Sequence, residues 1–200
     1  IRTWNAGECC GFASNSDVDD VGFINALIDT LLLTHAIDEN RIYATGMSNG
    51  GFMAHRLACE LSDRIAAIAP VACAMALNEC NPNRPVPVIQ FHSYLDFNIP
   101  YLGGEGDGPS NHYNPPQDSV MNAGASNNGC AVLNEVGAQN EEYTHTRWHD
   151  CECLTEVQHF ITEDGVQMEM GYTTDLITEK TIKWLDEQRD KDKPFALLMH

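Results

Sequence analysis

Arg41-Ile42-Tyr43-Ala44-Thr45-Gly46-Met47-Ser48-Asn49-Gly50-Gly51 is the stretch that decides the fold. Residues 41 to 45 form a short run with β-branched and aromatic side chains, entered through a turn at Asp38 to Asn40, and they predict a strand. From about Gly51 to Leu61 the spacing predicts a helix. Between the two stands a Gly-x-Ser-x-Gly sequence, Gly46 to Gly50. A serine between strand and helix occupies a sharp turn that lifts its hydroxyl above the sheet, and the flanking glycines let the backbone turn without Cβ clashes. The plainer alternative is a glycine-rich turn whose serine caps the helix.

Working outward, Val21, Ile24, Leu27, Ile28, Leu31 and Leu32 recur at helical spacing behind Asp17, Asp19 and Asp20. These acids read as carboxylates at the positive end of an amphipathic helix rather than as metal ligands. Downstream, strands are predicted at Ile65 to Val71, Val86 to Phe91, Tyr143 to Trp148 and Val157 to Ile161. A helix is expected over Thr173 to Arg189 and a last buried strand over Phe195 to Met199. Asn98 to Asn128, rich in Gly, Pro, Asn and Ser, reads as a long loop or lid. Strand, helix, strand alternation implies α/β class with a parallel sheet. With the serine turn, the expectation is an α/β-hydrolase-like three-layer sandwich with a mostly parallel sheet, whose N-terminal strands are missing ahead of Ile1.

Serine is a weak nucleophile until an imidazole takes its proton and a carboxylate holds that imidazole's tautomer. On this fold the chain order is serine, acid, histidine. Asp96 follows the strand Val86 to Phe91 and is the candidate acid, with a turn aspartate as the alternative. The backbone N–H of Asn49 is the candidate oxyanion donor, with a second donor expected from a loop after an earlier strand. His35, His55 and His92 read as packing, surface or strand-end groups. His112, His145, His149, His159 and His200 follow the acid, and His159 and His200 are weak candidates for the base.

With 43% hydrophobic and 20% charged residues over 200 positions, the chain has the composition of one folded domain. Eleven Lys and Arg against 29 Asp and Glu give a net charge of −18, a field that repels nucleic acid and anionic lipid. The longest strongly apolar stretch, Ala66 to Leu77, is too short to span a bilayer. Eight cysteines favour an oxidising, extracellular setting, and their spacings fit disulfides better than a zinc site. No metal or cofactor is expected. Pairing is open from sequence alone, and Cys73 in its apolar run reads as a buried thiol.

Arg2-Thr3-Trp4-Asn5-Ala6-Gly7-Glu8-Cys9-Cys10-Gly11, Asp19-Asp20-Val21-Gly22-Phe23, the serine stretch, Ile68-Ala69-Pro70-Val71-Ala72, Val86 to His92 with Asp96, Ile99-Pro100-Tyr101, and Asn128-Gly129-Cys130 together resemble the secreted polyhydroxybutyrate depolymerase and feruloyl esterase family. The resemblance covers Ile1 to about Gly165. It implies a serine carboxylic ester hydrolase with Ser48 as nucleophile, Asp96 as triad acid and Trp4 lining the acyl or aromatic pocket. It also implies a His-Gly-rich oxyanion loop ahead of Trp4, and a Gly-Gly-His-x-Trp-Pro segment after the strand ending at Ile161, where this chain reads Asp164-Gly165-Val166-Gln167-Met168-Glu169. From Gly171, Tyr172-Thr173-Thr174-Asp175 through Trp184-Leu185 and Asp192-Lys193-Pro194-Phe195 resembles the middle of a sulfatase. The organisation expected is therefore a hydrolase domain over residues 1–165 and a sulfatase-like helix and strand over 166–200 packed on it. Cys80-Asn81-Pro82-Asn83-Arg84 fits the sulfatase Cys-x-Pro-x-Arg pattern but sits in a Pro-rich inter-strand loop without the downstream Leu-Thr-Gly, and reads as a decoy.

The expectation is a secreted serine esterase acting on polyester or feruloyl-type esters, with the ester as its partner. The alternative is a catalytically incomplete hydrolase-like fragment or fusion product, and the outsider is a sulfatase. Without the usual histidine and second oxyanion donor, slow or absent turnover is expected.

Overall fold

Seven strands in the order β4-β5-β6-β3-β2-β1-β7 carry the structure. The computed structural model describes residues 2–108, 112–139, 143–162 and 196–198. In chain order the elements are α1 (Gly11–Asn15), α2 (Asp20–Thr34), β1 (Ile42–Met47), α3 (Asn49–Glu60), β2 (Ala67–Val71), β3 (Val88–Ser93), α4 (Gln117–Asn127), β4 (Val132–Gln139), β5 (Thr144–His149), β6 (Val157–Thr162) and β7 (Ala196–Leu198). β6, β3, β2, β1 and β7 run parallel, and β4 and β5 complete the sheet antiparallel. β2 is buried at every position, as a central parallel strand covered on both faces must be.

The architecture is the expected three-layer α/β sandwich. On one face Ile42, Ala44, Ile68, Val88 and Val157 pack against Ile24 and Ile28 of α2, Phe52, Met53 and Leu57 of α3, and Val120 and Met121 of α4. The other face carries a second apolar cluster around Tyr43, Ala69, Val71, Ile89, Phe91 and Phe160. Alternate residues of β1 divide between the two clusters, which is the period-two consequence of a pleated strand.

The stretch from Asn98 to Asn128 departs from expectation, because its last third is α4 rather than loop. Asn, Gly and Ser are weak helix formers and mask the signal. Pro116 at the N-cap and burial of Val120, Met121 and Ala125 hold the helix by packing. α1 and β4 were likewise not expected; β4 follows Cys130 and pairs antiparallel with β5, broken by two register shifts. The last expected strand forms as β7 beside β1. The helix expected over 173–189 lies outside the described residues.

Three disulfides join Cys9 to Cys10, Cys59 to Cys80 and Cys130 to Cys151, while Cys73 is free and buried and Cys153 is free and exposed. The acids ahead of α2 divide in role. Asp19 is the N-cap, accepting the Gly22 N–H at 2.8 Å, whereas buried Asp20 turns to the N-terminal segment.

Candidate active site

β1 ends at Met47 and α3 begins at Asn49, so Ser48 alone makes the turn, at φ 52° and ψ −120°. For a residue with a Cβ this backbone costs on the order of 1–3 kcal/mol and persists only where the surroundings impose it. Here the Ser48 N–H donates to the Val71 carbonyl at 2.9 Å, and its own carbonyl accepts from Phe52 N–H at 3.0 Å. The turn also needs glycine at its base: a Cβ on Gly46 would lie 2.5 Å from the carbonyl carbon of Gly50. Ser48 is exposed, and its side chain makes no capping hydrogen bond. Ser48 thus stands at the N-cap position of α3 without a side-chain capping bond, exposed at the carboxyl end of β1.

Asn49 opens α3, so its N–H is one of the first-turn donors that have no intrahelical acceptor. Its carboxamide is engaged elsewhere: Oδ1 accepts the Trp4 N–H at 2.6 Å and Nδ2 donates to the Trp4 carbonyl at 3.0 Å. The half-buried Trp4 ring stacks on Phe23 with centroids 6.3 Å apart. Both rings line a cavity of about 150 Å³ together with Thr45, Gly50, Met53 and Leu57.

Asp96 lies in the loop after β3, its side chain 10% exposed. Oδ1 accepts from the N–H groups of Asn98 and Ile99 at 2.9 and 3.0 Å, so the carboxylate organises its own turn. β2 separates β1 from β3, which places the loops bearing Ser48 and Asp96 about 10 Å apart at one sheet end. Cys73 links the two. Its sulfur packs where a Cβ on Gly51 would stand, and its thiol is pushed up by burial and, secondarily, by the Asp96 charge.

His92 and His159 are both buried. His92 is buried below Asp96; burial lowers its pKa, outweighing its hydrogen bond to Ile99 and the Asp96 charge. His159 is 1% exposed, stacks parallel to Tyr101 at 5.9 Å, and has no hydrogen-bond partner on either nitrogen. Burial, with a smaller push from His92, takes its pKa to about 3, so the ring is neutral. β6 lies three strands from β1, roughly 14 Å away, and the His159 ring is not placed against Ser48. His200 and residues 164–169 lie outside the described residues. Among the described residues no side chain hydrogen-bonds the Ser48 hydroxyl. His112 packs edge-on against Phe52, one helical turn past Ser48, with centroids 6.0 Å apart.

Three features of the site had no sequence signal. Asp20 and Arg56 hold the Asn5 backbone, His92 staples the Asp96 loop, and a buried chain of polar groups lies beneath the elbow. In that chain His55 Nε2 meets Gln90 Oε1 at 2.8 Å, and Gln90 Nε2 donates to Gln117 Oε1 at 2.6 Å and to the Cys73 carbonyl at 3.3 Å. In sequence such groups read as ordinary solvent-facing side chains until their partners are known. Among the described residues no cluster of three or more His, Cys, Asp or Glu could hold a metal, and no helix is long and apolar enough to cross a membrane. Cys80 is bonded to Cys59, so the Cys-x-Pro-x-Arg pattern offers no thiol for conversion.

A phospholipase/carboxylesterase family model matches residues 15–107, which hold both Ser48 and Asp96. Feruloyl esterase B of Piromyces equi is 38% identical over 108 residues, covering 52% of this chain and 19% of that protein. A probable feruloyl esterase C of Aspergillus clavatus is 26% identical over 159 residues, covering 80% of this chain and 53% of that protein. The chain thus spans about a fifth to about half the length of the curated relatives it matches. The crystal structure of a thermostable esterase superposes with a TM-score of 0.55 at 20% identity, over 84% of this chain and 36% of that one, a likeness of fold. Over part of its length the chain is similar in sequence to carboxylesterases and feruloyl esterases, and its fold is similar to that of a thermostable esterase.

Proposed function

We propose that the chain is a secreted serine carboxylic ester hydrolase that forms an acyl-enzyme on Ser48, with polyester or feruloyl-type esters as substrates. The observation that carries this reading is the Ser48 backbone, held at φ 52° in a strand-to-helix turn with its hydroxyl exposed and engaged in no cap. Strain of that kind is maintained where it presents a group for chemistry. Ser48 Oγ attacks the ester carbonyl, the alcohol leaves, and water releases the acid from the serine. Asn49 N–H faces the developing oxyanion, Asp96 serves as the triad acid, and Trp4 walls the acyl side. The feruloyl esterase names among the relatives support the substrate class. Three disulfides support secretion.

The second reading is a catalytically incomplete hydrolase-like domain. It is favoured by the absence, among the described residues, of any imidazole on the Ser48 hydroxyl, since general-base assistance contributes about 10²–10⁴-fold. Hydrolysis of p-nitrophenyl acetate by the purified chain and by Ser48→Ala decides between them. Turnover lost in Ser48→Ala supports the esterase; equal, buffer-level rates in both support the incomplete domain.

A further inference from the structure

Trp4 and Asn5 belong to no strand, yet each of their backbone polar groups is satisfied by a side chain from α2 or α3. Trp4 N–H and C=O are held by Asn49; Asn5 N–H donates to Asp20 Oδ2 at 2.7 Å, and Asn5 C=O accepts from Arg56 Nη1 at 2.7 Å. Asp20 acts from α2 and Arg56 from α3, while Asn49 acts from the start of α3, directly after Ser48. A carboxamide that accepts and donates to one residue copies the exchange of a hydrogen-bonded strand pair.

We infer that the Asn49 carboxamide is a positioning group for the reaction: it locks the Trp4 segment to the serine elbow, so that the acyl-side wall is set by the side chain next to Ser48. The inference rests on the esterase reading for its consequence on turnover, but not for the clamp itself. Two opposed hydrogen bonds fix both torsions of the Asn49 side chain and the plane of its amide. Trp4 and Phe23 then line the same cavity as Thr45 and Gly50, which stand three residues before and two residues after Ser48 in sequence. The cavity walls are apolar and aromatic apart from Thr45, and Ser48 is not itself among the lining residues. An elbow followed by a residue without this carboxamide would retain its serine but lose both hydrogen bonds from that side chain to the Trp4 backbone. Asparagine is the side chain that does both: aspartate accepts from Trp4 N–H but cannot donate to its carbonyl, and leucine does neither.

The test uses the full chain with Trp184→Phe, leaving Trp4 and the buried Trp148 as indoles. Acrylamide quenching reads the tether without reference to activity. Asn49→Leu is expected to raise the quenching constant about threefold, the change from a half-buried to an exposed ring, with Asn49→Asp between it and the parent. In kinetics, Asn49→Leu is expected to raise KM for p-nitrophenyl benzoate by about tenfold or more and KM for p-nitrophenyl acetate by clearly less, as a displaced wall affects the larger acyl group most. Unchanged quenching in both variants overturns the clamp. Equal loss of kcat on the two esters at unchanged KM is what a smaller folded fraction produces, and overturns the positioning role. If Asn49→Leu does not fold, Asn49→Asp is read by the same two measurements. If neither the parent nor Ser48→Ala turns over ester, the esterase reading fails, and quenching alone decides the clamp.

Discussion

His92 Nε2 lies 3.7 Å from Asp96 Oδ2 but donates its proton to the Ile99 carbonyl at 2.9 Å. The imidazole that sits closest to the candidate acid therefore belongs to the scaffold of the loop. It ties the far end of the Asp96 turn back to β3, while Asp96 Oδ1 gathers the turn's N–H groups from the other side. His92→Phe is expected to cost about 1–3 kcal/mol in urea denaturation, through the lost bond and the orphaned carbonyl. Any turnover it retains would have to reflect a different base, and total loss of turnover at full stability would contradict the scaffold role.

The strain at Ser48 makes a prediction of opposite sign for stability and chemistry. Ser48→Gly accepts φ 52° and ψ −120° without a Cβ, so it is expected to be more stable than the parent by about 1 kcal/mol, a rise of a few degrees in Tm. It also removes the proposed nucleophile. Thermal denaturation beside an ester assay checks both, and a fall in Tm would show that the turn is unstrained.

Buried histidines fix the direction of the pH response. His55, lowered to about 4 by burial against its Gln90 bond, and His159, lowered to about 3, bind fewer protons folded than unfolded below pH 6.5. Their contribution is complete above the unfolded pKa and is lost as pH falls from about 6.5 through the folded values. Urea midpoints should therefore drop between pH 7 and pH 5. His159→Phe removes one titrating group and two unpartnered nitrogens and keeps a ring against Tyr101. It is expected to flatten that drop and to gain at least about 1 kcal/mol at pH 5. An unchanged or steeper drop would contradict it.

Cys59–Cys80 closes a loop over a sequence separation of 21 residues, joining the end of α3 to the loop before β3. Replacing both cysteines with alanine is expected to cost about 3 kcal/mol. Mass spectrometry of alkylated native protein should find two free thiols, with Cys153 labelled at once and buried Cys73 only on unfolding. Labelling of Cys59 or Cys80 in folded protein would refute the pairing.

The parts of the molecule legible in the sequence are those written in local patterns. β1, the turn and α3 were readable because a β-branched run, two glycines and a helical period adjoin within twenty residues. β2, β3, β5 and β6 announced themselves by apolar or alternating runs, with ends shifted by one or two residues. α4 was hidden because its stability comes from packing Val120 and Met121 against the sheet while its composition argues for loop. The same division holds at the candidate site. Ser48 and Asp96 were visible by motif and chain order, whereas Asp20, Asn49's carboxamide, His92 and the Gln90–Gln117 pair act on partners 7 to 45 residues away, a relation no local spacing encodes.

β7 lends the serine strand its second neighbour, pairing Ile42, Tyr43 and Ala44 with Ala196, Leu197 and Leu198. More than 150 residues separate these partners in the chain. Of the pairings in the described sheet this one spans the greatest distance along the chain, so it carries the largest loop-closure entropy and can form only after β1, β2 and β3 have been made on the ribosome, many seconds later at roughly 5–20 residues each second.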